Sequence, residues 1–106
     1  MDACDQPSNQ ETSELYVKLI EEEYKEFVEG IKNNDRIETL DGVVDTIWCL
    51  VCYCKAAGLD FNGAWNEVAS SNMSKIDKET GKCIKNEYGK VQKPESYFKP
   101  DLTNFV

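Results

Sequence analysis

From Val43 to Cys54 the chain reads VVDTIWCLVCYC, a largely apolar run that carries one charge, Asp45. The run is too short to cross a bilayer, which takes about 20 apolar residues. Read as a helix it is apolar on nearly every side, and such a helix has to be covered all round. A chain of 106 residues makes one domain. A domain of that size buries only about 60–70% of the surface its unfolded chain exposes. The expectation is therefore a small all-α helical bundle completed by oligomerisation, with a short irregular or hairpin-like tail.

The flanking sequence supplies the other helices. Residues 1–10, with Pro7, read as a lead-in, and Ser8-Asn9-Gln10-Glu11 has the form of a capping box. From 11 to 32 the apolar residues Leu15, Tyr16, Leu19, Ile20, Tyr24, Phe27, Val28 and Ile31 recur at helical spacing. Asn33-Asn34-Asp35 is a break. The second helix spans 36–57, with Gly58 as its C′ residue. Asp60 is a natural N-cap for a third helix over 60–72. In the tail, 73–106, the segments Asp77 to Lys82 and Asn86 to Lys90 read as turns between short extended pieces. Pro94 and Pro100 keep the end non-helical.

The net charge of −8 argues against non-specific binding to a nucleic-acid polymer, which needs clustered Lys and Arg. It leaves room for a phosphorylated substrate, because a divalent metal supplies the positive charge that the protein lacks. The chain has no His, so acid–base chemistry falls to carboxylates, Lys, Tyr or Cys. Five Cys is an odd number, and Cys49, Cys52 and Cys54 share one apolar run. They read as small buried hydrophobes rather than disulfide or zinc partners. The first dozen residues are polar, so no signal peptide is expected. A reducing, cytoplasmic setting with no membrane association follows. Trp48 and Trp65 read as core.

The acids stand in unexpected places. Each residue turns a helix by about 100°. Glu21, Glu22 and Glu29 fall outside the apolar arc of the first helix, where solvated acids belong. Glu23 falls inside it, between Leu19 and Phe27, and Glu26 at its edge. Glu22, Glu23 and Glu26 are helical neighbours. On the second helix Asp41 and Asp45 share a face, and Glu38 lies on the same stripe. Asp35-Arg36-Ile37-Glu38 has capping-box form, which gives Glu38 another role. Burying an unpaired carboxylate costs several kcal/mol, about the scale at which the group takes up a proton instead. Two acidic clusters on facing helices also repel one another. A divalent cation removes both difficulties, and Mg²⁺ prefers hard oxygen ligands.

The run Glu22-Glu23-Tyr24-Lys25-Glu26 matches the EExxE motif of the MazG-like, all-alpha nucleoside triphosphate pyrophosphohydrolases, which the chain resembles. In that superfamily a second helix carries ExxD, and Asp45-Thr46-Ile47-Trp48 looks like its Asp and the apolar run that follows. The matching Glu position is Gly42, and Asp41 lies one residue earlier near the same face. A second register, Glu38-Thr39-Leu40-Asp41, matches ExxD literally but leaves Asp45 unexplained; the pair Asp41 and Asp45 is favoured. Asn72-Met73-Ser74-Lys75 resembles the N-M-S-K segment of the phage and bacterial phosphoribosyl-ATP pyrophosphohydrolase-like branch. The tail from Gly89 through Leu102 is also similar to that branch, so the likeness covers almost the whole chain.

The resemblance implies hydrolysis of a (deoxy)nucleoside triphosphate to monophosphate and pyrophosphate, as in clearing of the nucleotide pool. It implies a homodimer or homotetramer. It puts Glu23, Glu26, Asp41 and Asp45 on Mg²⁺, with Mn²⁺ as a substitute. Glu22 or Glu23 would handle the attacking water, and Asn72 and Lys75 would contact the nucleotide. The alternatives are a catalytically inactive nucleotide-binding protein and a helical protein-interaction module.

Overall fold

The computed structural model describes residues 8–106; the lead-in before Ser8, with Pro7 and Cys4, lies outside them. The described chain is all-helical: α1 (Gln10–Lys32), α2 (Arg36–Ala56), α3 (Phe61–Met73) and a 3-10 turn at Thr103–Phe105. Residues through Phe61 form one compact unit and Asn62–Val106 a second.

Local chemistry sets the ends of the helices. Asn9, not Ser8, caps α1: its side chain accepts from the Thr12 N–H at 2.7 Å. The Ser8 hydroxyl instead donates to the Lys55 carbonyl at 3.1 Å. At the α1–α2 turn Asn34 adopts the left-handed conformation, φ 53°. Asp35 then serves both helices. Its N–H donates to the Gly30 carbonyl at 2.9 Å, closing α1. Its carboxylate accepts from the Glu38 N–H at 3.0 Å, capping α2. The reciprocal half of a capping box is absent because the Asp35 N–H is already committed to Gly30. At the far end of α2, Gly58 takes φ 74°. Leu59 N–H then reaches the Cys54 carbonyl at 2.8 Å and Gly58 N–H the Lys55 carbonyl at 3.3 Å, a Schellman closure.

In the first unit α1 and α2 pack as an antiparallel hairpin, with two glycines at the contact. A β-carbon on Gly30 would stand 2.7 Å from the Thr39 nitrogen, and one on Gly42 2.7 Å from the Phe27 Cα. Further along, Tyr16 and Phe61 pack on Val51 and Cys52. The core is small: Val51, Cys52 and Ala56 are its buried hydrophobic members. Cys52 is thus a buried hydrophobe as expected, and burial pushes the nearby Cys54 thiol upward from its ordinary pKa.

The apolar second helix is covered only in part. Val51 is 1% exposed, whereas Ile37, Leu40, Val44 and Ile47 are 85%, 64%, 53% and 53% exposed. Trp48 and Trp65 are exposed too, so they are not core within this chain, contrary to the sequence reading. Among the described residues α1 shields one side of α2, and much of the other side stays exposed.

In the second unit, turns occupy the expected places. Antiparallel bridges pair Ile76 with Cys83 and Lys85 with Val91, and Gly81 and Gly89 take positive φ in the turns between them. Ser71 is the buried polar residue there, and its hydroxyl donates to the Phe98 carbonyl at 2.8 Å. No helix among the described residues is long and apolar enough to cross a membrane.

Candidate functional site

The hairpin register decides which acids meet. Phe27 lies against Gly42, Gly30 against Thr39, and Tyr16 against Val51 and Cys52. On that register Glu23 is close to level with Asp45, and Glu26 and Asp41 lie within about a turn of each other along the hairpin. Glu23 is half-buried, and its Oε2 is enclosed with no hydrogen-bond partner. Its pKa is raised above the ordinary 4.5. Burial is the first cause, followed by hydrogen bonding with the Glu26 carboxyl and then by the charges of Glu26, Asp45 and Asp41. The charges of the other three acids marked out in the sequence thus all act on Glu23. Asp45 is half-buried, and Glu26 and Asp41 are exposed.

The remaining acids lie where the helical wheel places them. Glu22 is exposed beside the cluster, and Glu21 is exposed. Glu29 makes an exposed ion pair with Lys32 at 3.8 Å. Glu38 is exposed and lends its N–H to the Asp35 cap. The charges acting on Glu23 from α2 are those of Asp41 and Asp45, the pair favoured over Glu38.

Gly42 has a different meaning from the one its place in the motif suggests. A side chain there would meet Phe27 at its Cα, Cβ and N, at 2.7, 2.9 and 2.9 Å. A Glu at this position has no room while the helices stay at this separation. The sequence signal for such a contact is energetic: a glycine inside a helix costs about 1 kcal/mol against alanine, so Gly30 and Gly42 mark a close approach.

The donor chemistry suits a hard divalent cation: four carboxylates from two helices, one oxygen enclosed and unpartnered. Among the described residues, no three His, Cys, Asp or Glu side chains converge enough to hold an ion. An apolar cavity of about 230 Å³ is lined by Tyr24, Phe27, Val43, Thr46 and Ile47, and none of the four acids is among its lining residues.

Asn72 and Lys75 belong to the second unit. Asn72 is exposed in the last turn of α3, and its carbonyl accepts from the Lys75 N–H at 3.2 Å. The Lys75 ammonium lies 6.0 Å from the centroid of the Tyr97 ring. Tyr97 belongs to no motif, and nothing in the sequence around it signals this contact.

The model of the phosphoribosyl-ATP pyrophosphohydrolase family matches residues 3–72, which takes in α1, α2 and all but the last residue of α3. No curated protein and no solved structure matches the chain. The match covers both acidic helices and ends before Lys75. The chain belongs to the phosphoribosyl-ATP pyrophosphohydrolase family, within the MazG-like all-alpha nucleoside triphosphate pyrophosphohydrolases.

Proposed function

We propose that this chain is a Mg²⁺-dependent hydrolase that converts a (deoxy)nucleoside triphosphate to a monophosphate and pyrophosphate. Family membership points to a nucleotide pyrophosphohydrolase. The observation that carries the finer reading is the enclosed, unpartnered Oε2 of Glu23 beside three further carboxylates. An arrangement that raises a carboxylate's pKa by burial and like charge is costly to keep unless a ligand compensates it.

In this reading Glu23, Glu26, Asp41 and Asp45 hold the ion. When bound, Mg²⁺ neutralises charge on the phosphates and lowers the pKa of water. Glu22, exposed beside the cluster, or Glu23 orients the attacking water and accepts its proton. The water oxygen bonds to the α phosphorus, the bridging bond to the β phosphate breaks, and pyrophosphate departs. Phosphoryl transfer depends mainly on positioning and charge neutralisation. Asn72 and Lys75 are the second unit's own proposed nucleotide contacts. Nucleotide-pool clearing in the cytoplasm is the role that fits.

The active form is a homo-oligomer in this reading. Ile37, Leu40, Val44 and Ile47 follow one another at intervals of three and four residues, the spacing of a helix–helix seam. Val51 continues the same stripe and is buried, while the other four are exposed. A second copy laid along α2 covers them.

One observation favours a second reading, a nucleotide-binding module without turnover: three ligands do not converge among the described residues. Pyrophosphate release from a panel of NTPs, dNTPs and phosphoribosyl-ATP with Mg²⁺ separates the two. Turnover on one or more is expected; none on any member overturns the enzyme reading.

A further inference from the structure

An apolar helix is expected to keep its aromatic side chains in the core, where they supply much of the burial. Trp48 nevertheless stands 42% exposed. The chain has two tryptophans, and the other, Trp65, belongs to the second unit. Ile37, Leu40, Val44 and Ile47 form the seam described above. Trp48 lies off the line of that seam, toward the acids.

The place of Trp48 on α2 follows from the helical turn of about 100° per residue. Gly42 marks the side of α2 that meets α1, since it lies against Phe27. Asp45, Asp41 and Trp48 fall about 60°, 100° and 120° to one side of Gly42. Val43, Thr46 and Ile47, which line the apolar cavity, fall to the other side. Trp48 therefore shares a stripe with the two acids. Along the axis it stands about 4.5 Å beyond Asp45 and about 10.5 Å beyond Asp41. Long side chains on a helix lean back over the preceding turn, and for Trp48 that turn carries Val44 and Asp45.

A nucleotide whose phosphates are held at Asp41 and Asp45 extends past them by a sugar and a base. Toward the C-terminal end of α2 the next large side chain on that side is the indole of Trp48. Toward the N-terminal end the stripe continues with Glu38, whose N–H serves the Asp35 cap. Tyr24 and Phe27 line the cavity on the other flank, and Tyr16 and Phe61 pack against Val51 and Cys52. An exposed aromatic ring offers a base a flat apolar face, and every base has a π-face to lay on it. We propose that the base of the nucleotide stacks on Trp48. The proposal rests on the proposed function, which puts the phosphates at the acids, and adds to it the residue that grips the base.

The test follows the fluorescence of Trp48 in the full chain carrying Trp65→Phe, which leaves one tryptophan. With Mg²⁺ present, α,β-methylene analogues of the NTPs and dNTPs are titrated in, and inorganic tripolyphosphate serves as the base-free probe. Saturable quenching by one or more analogues, and none by tripolyphosphate, is expected. Quenching by no analogue, or the same quenching by tripolyphosphate, overturns the stacking. In the otherwise native chain Trp48→Ala should raise KM about tenfold or more, the scale of a lost base stack, with a smaller change in kcat. Trp48→Phe should recover most of that loss. The Mg²⁺-dependent rise in melting temperature should survive in Trp48→Ala, because the ion's ligands are untouched. Its loss makes Trp48 a structural residue and overturns the proposal, as does an unchanged KM. Turnover without quenching defeats the stacking and spares the proposed function; quenching without turnover does the reverse.

Discussion

The Cα of Gly42 lies so close to the backbone of Phe27 that a β-carbon on it would stand 2.7 Å from the Phe27 Cα. The next nearest atoms are the Phe27 nitrogen and Cβ, so no flexible side-chain end can yield. Helix propensity alone favours Gly42→Ala by about 1 kcal/mol. The contact outweighs it, because overpacking a tight interface costs about 1–3 kcal/mol. Gly42→Ala is therefore expected to lower the urea midpoint, and Gly42→Glu to lower it further. A higher midpoint for Gly42→Ala would show that the helices do not approach this closely.

Glu23 makes stability depend on pH in the metal-free protein. Its folded pKa is raised above 4.5 by burial, then by Glu26. A raised acid pKa contributes stability below its unfolded value, and this is lost as pH rises through the folded value. Stability in chelator should fall on going up from about pH 4.5. Glu23→Gln should flatten that fall and raise the melting temperature at neutral pH. Unchanged pH dependence in the variant counts against the raised pKa.

Mg²⁺ should reverse the sign of that comparison. At about a hundred times Kd, an ion that binds only the folded state adds about 2.7 kcal/mol. Thermal melts of the wild type are expected to shift upward with Mg²⁺. Glu23→Gln and Asp45→Asn should remove the shift and reduce turnover about 100-fold or more, since even the outer partners of metal sites cost about 10–100-fold. A Mg²⁺ shift retained in both variants removes these residues from the site.

Self-association should be lost when the exposed half of the α2 stripe is charged. The wild type is expected to sediment as a dimer or tetramer, and the double variant Leu40→Glu, Ile47→Glu as a monomer. Both side chains are more than half exposed, so the substitutions spare the hairpin. A monomeric wild type overturns the seam.

Asp35→Ala removes the α2 cap and should cost about 1 kcal/mol, read from the urea midpoint. Asp35→Asn keeps an acceptor for the Glu38 N–H and should restore most of it.

Glu23 is conspicuous in the sequence because helical periodicity sets it between Leu19 and Phe27, where an acid is out of place. Asp45 is conspicuous for the same reason. Trp48 and Trp65 show the limit of that reading. Aromatic side chains in an apolar helix read as core, but whether a neighbour covers them depends on what else packs there, and α1 covers only part of α2.

From sequence alone come the three helices, the turn residues at Asn34 and Gly58, the acids on apolar faces and the family. These are local: periodicity defines a face within one helix, and backbone conformation defines its ends. The offset between α1 and α2 is a tertiary quantity, since a face can slide along its partner without changing its own pattern. Gly30 and Gly42 lock that offset by letting backbone meet backbone. Only then do the charges of Asp45 and Asp41 reach Glu23. Lys75 and Lys93 come to the ring of Tyr97 for a similar reason: hydrogen bonds of Ser71 and Ser74 with Phe98 join segments that no periodicity relates.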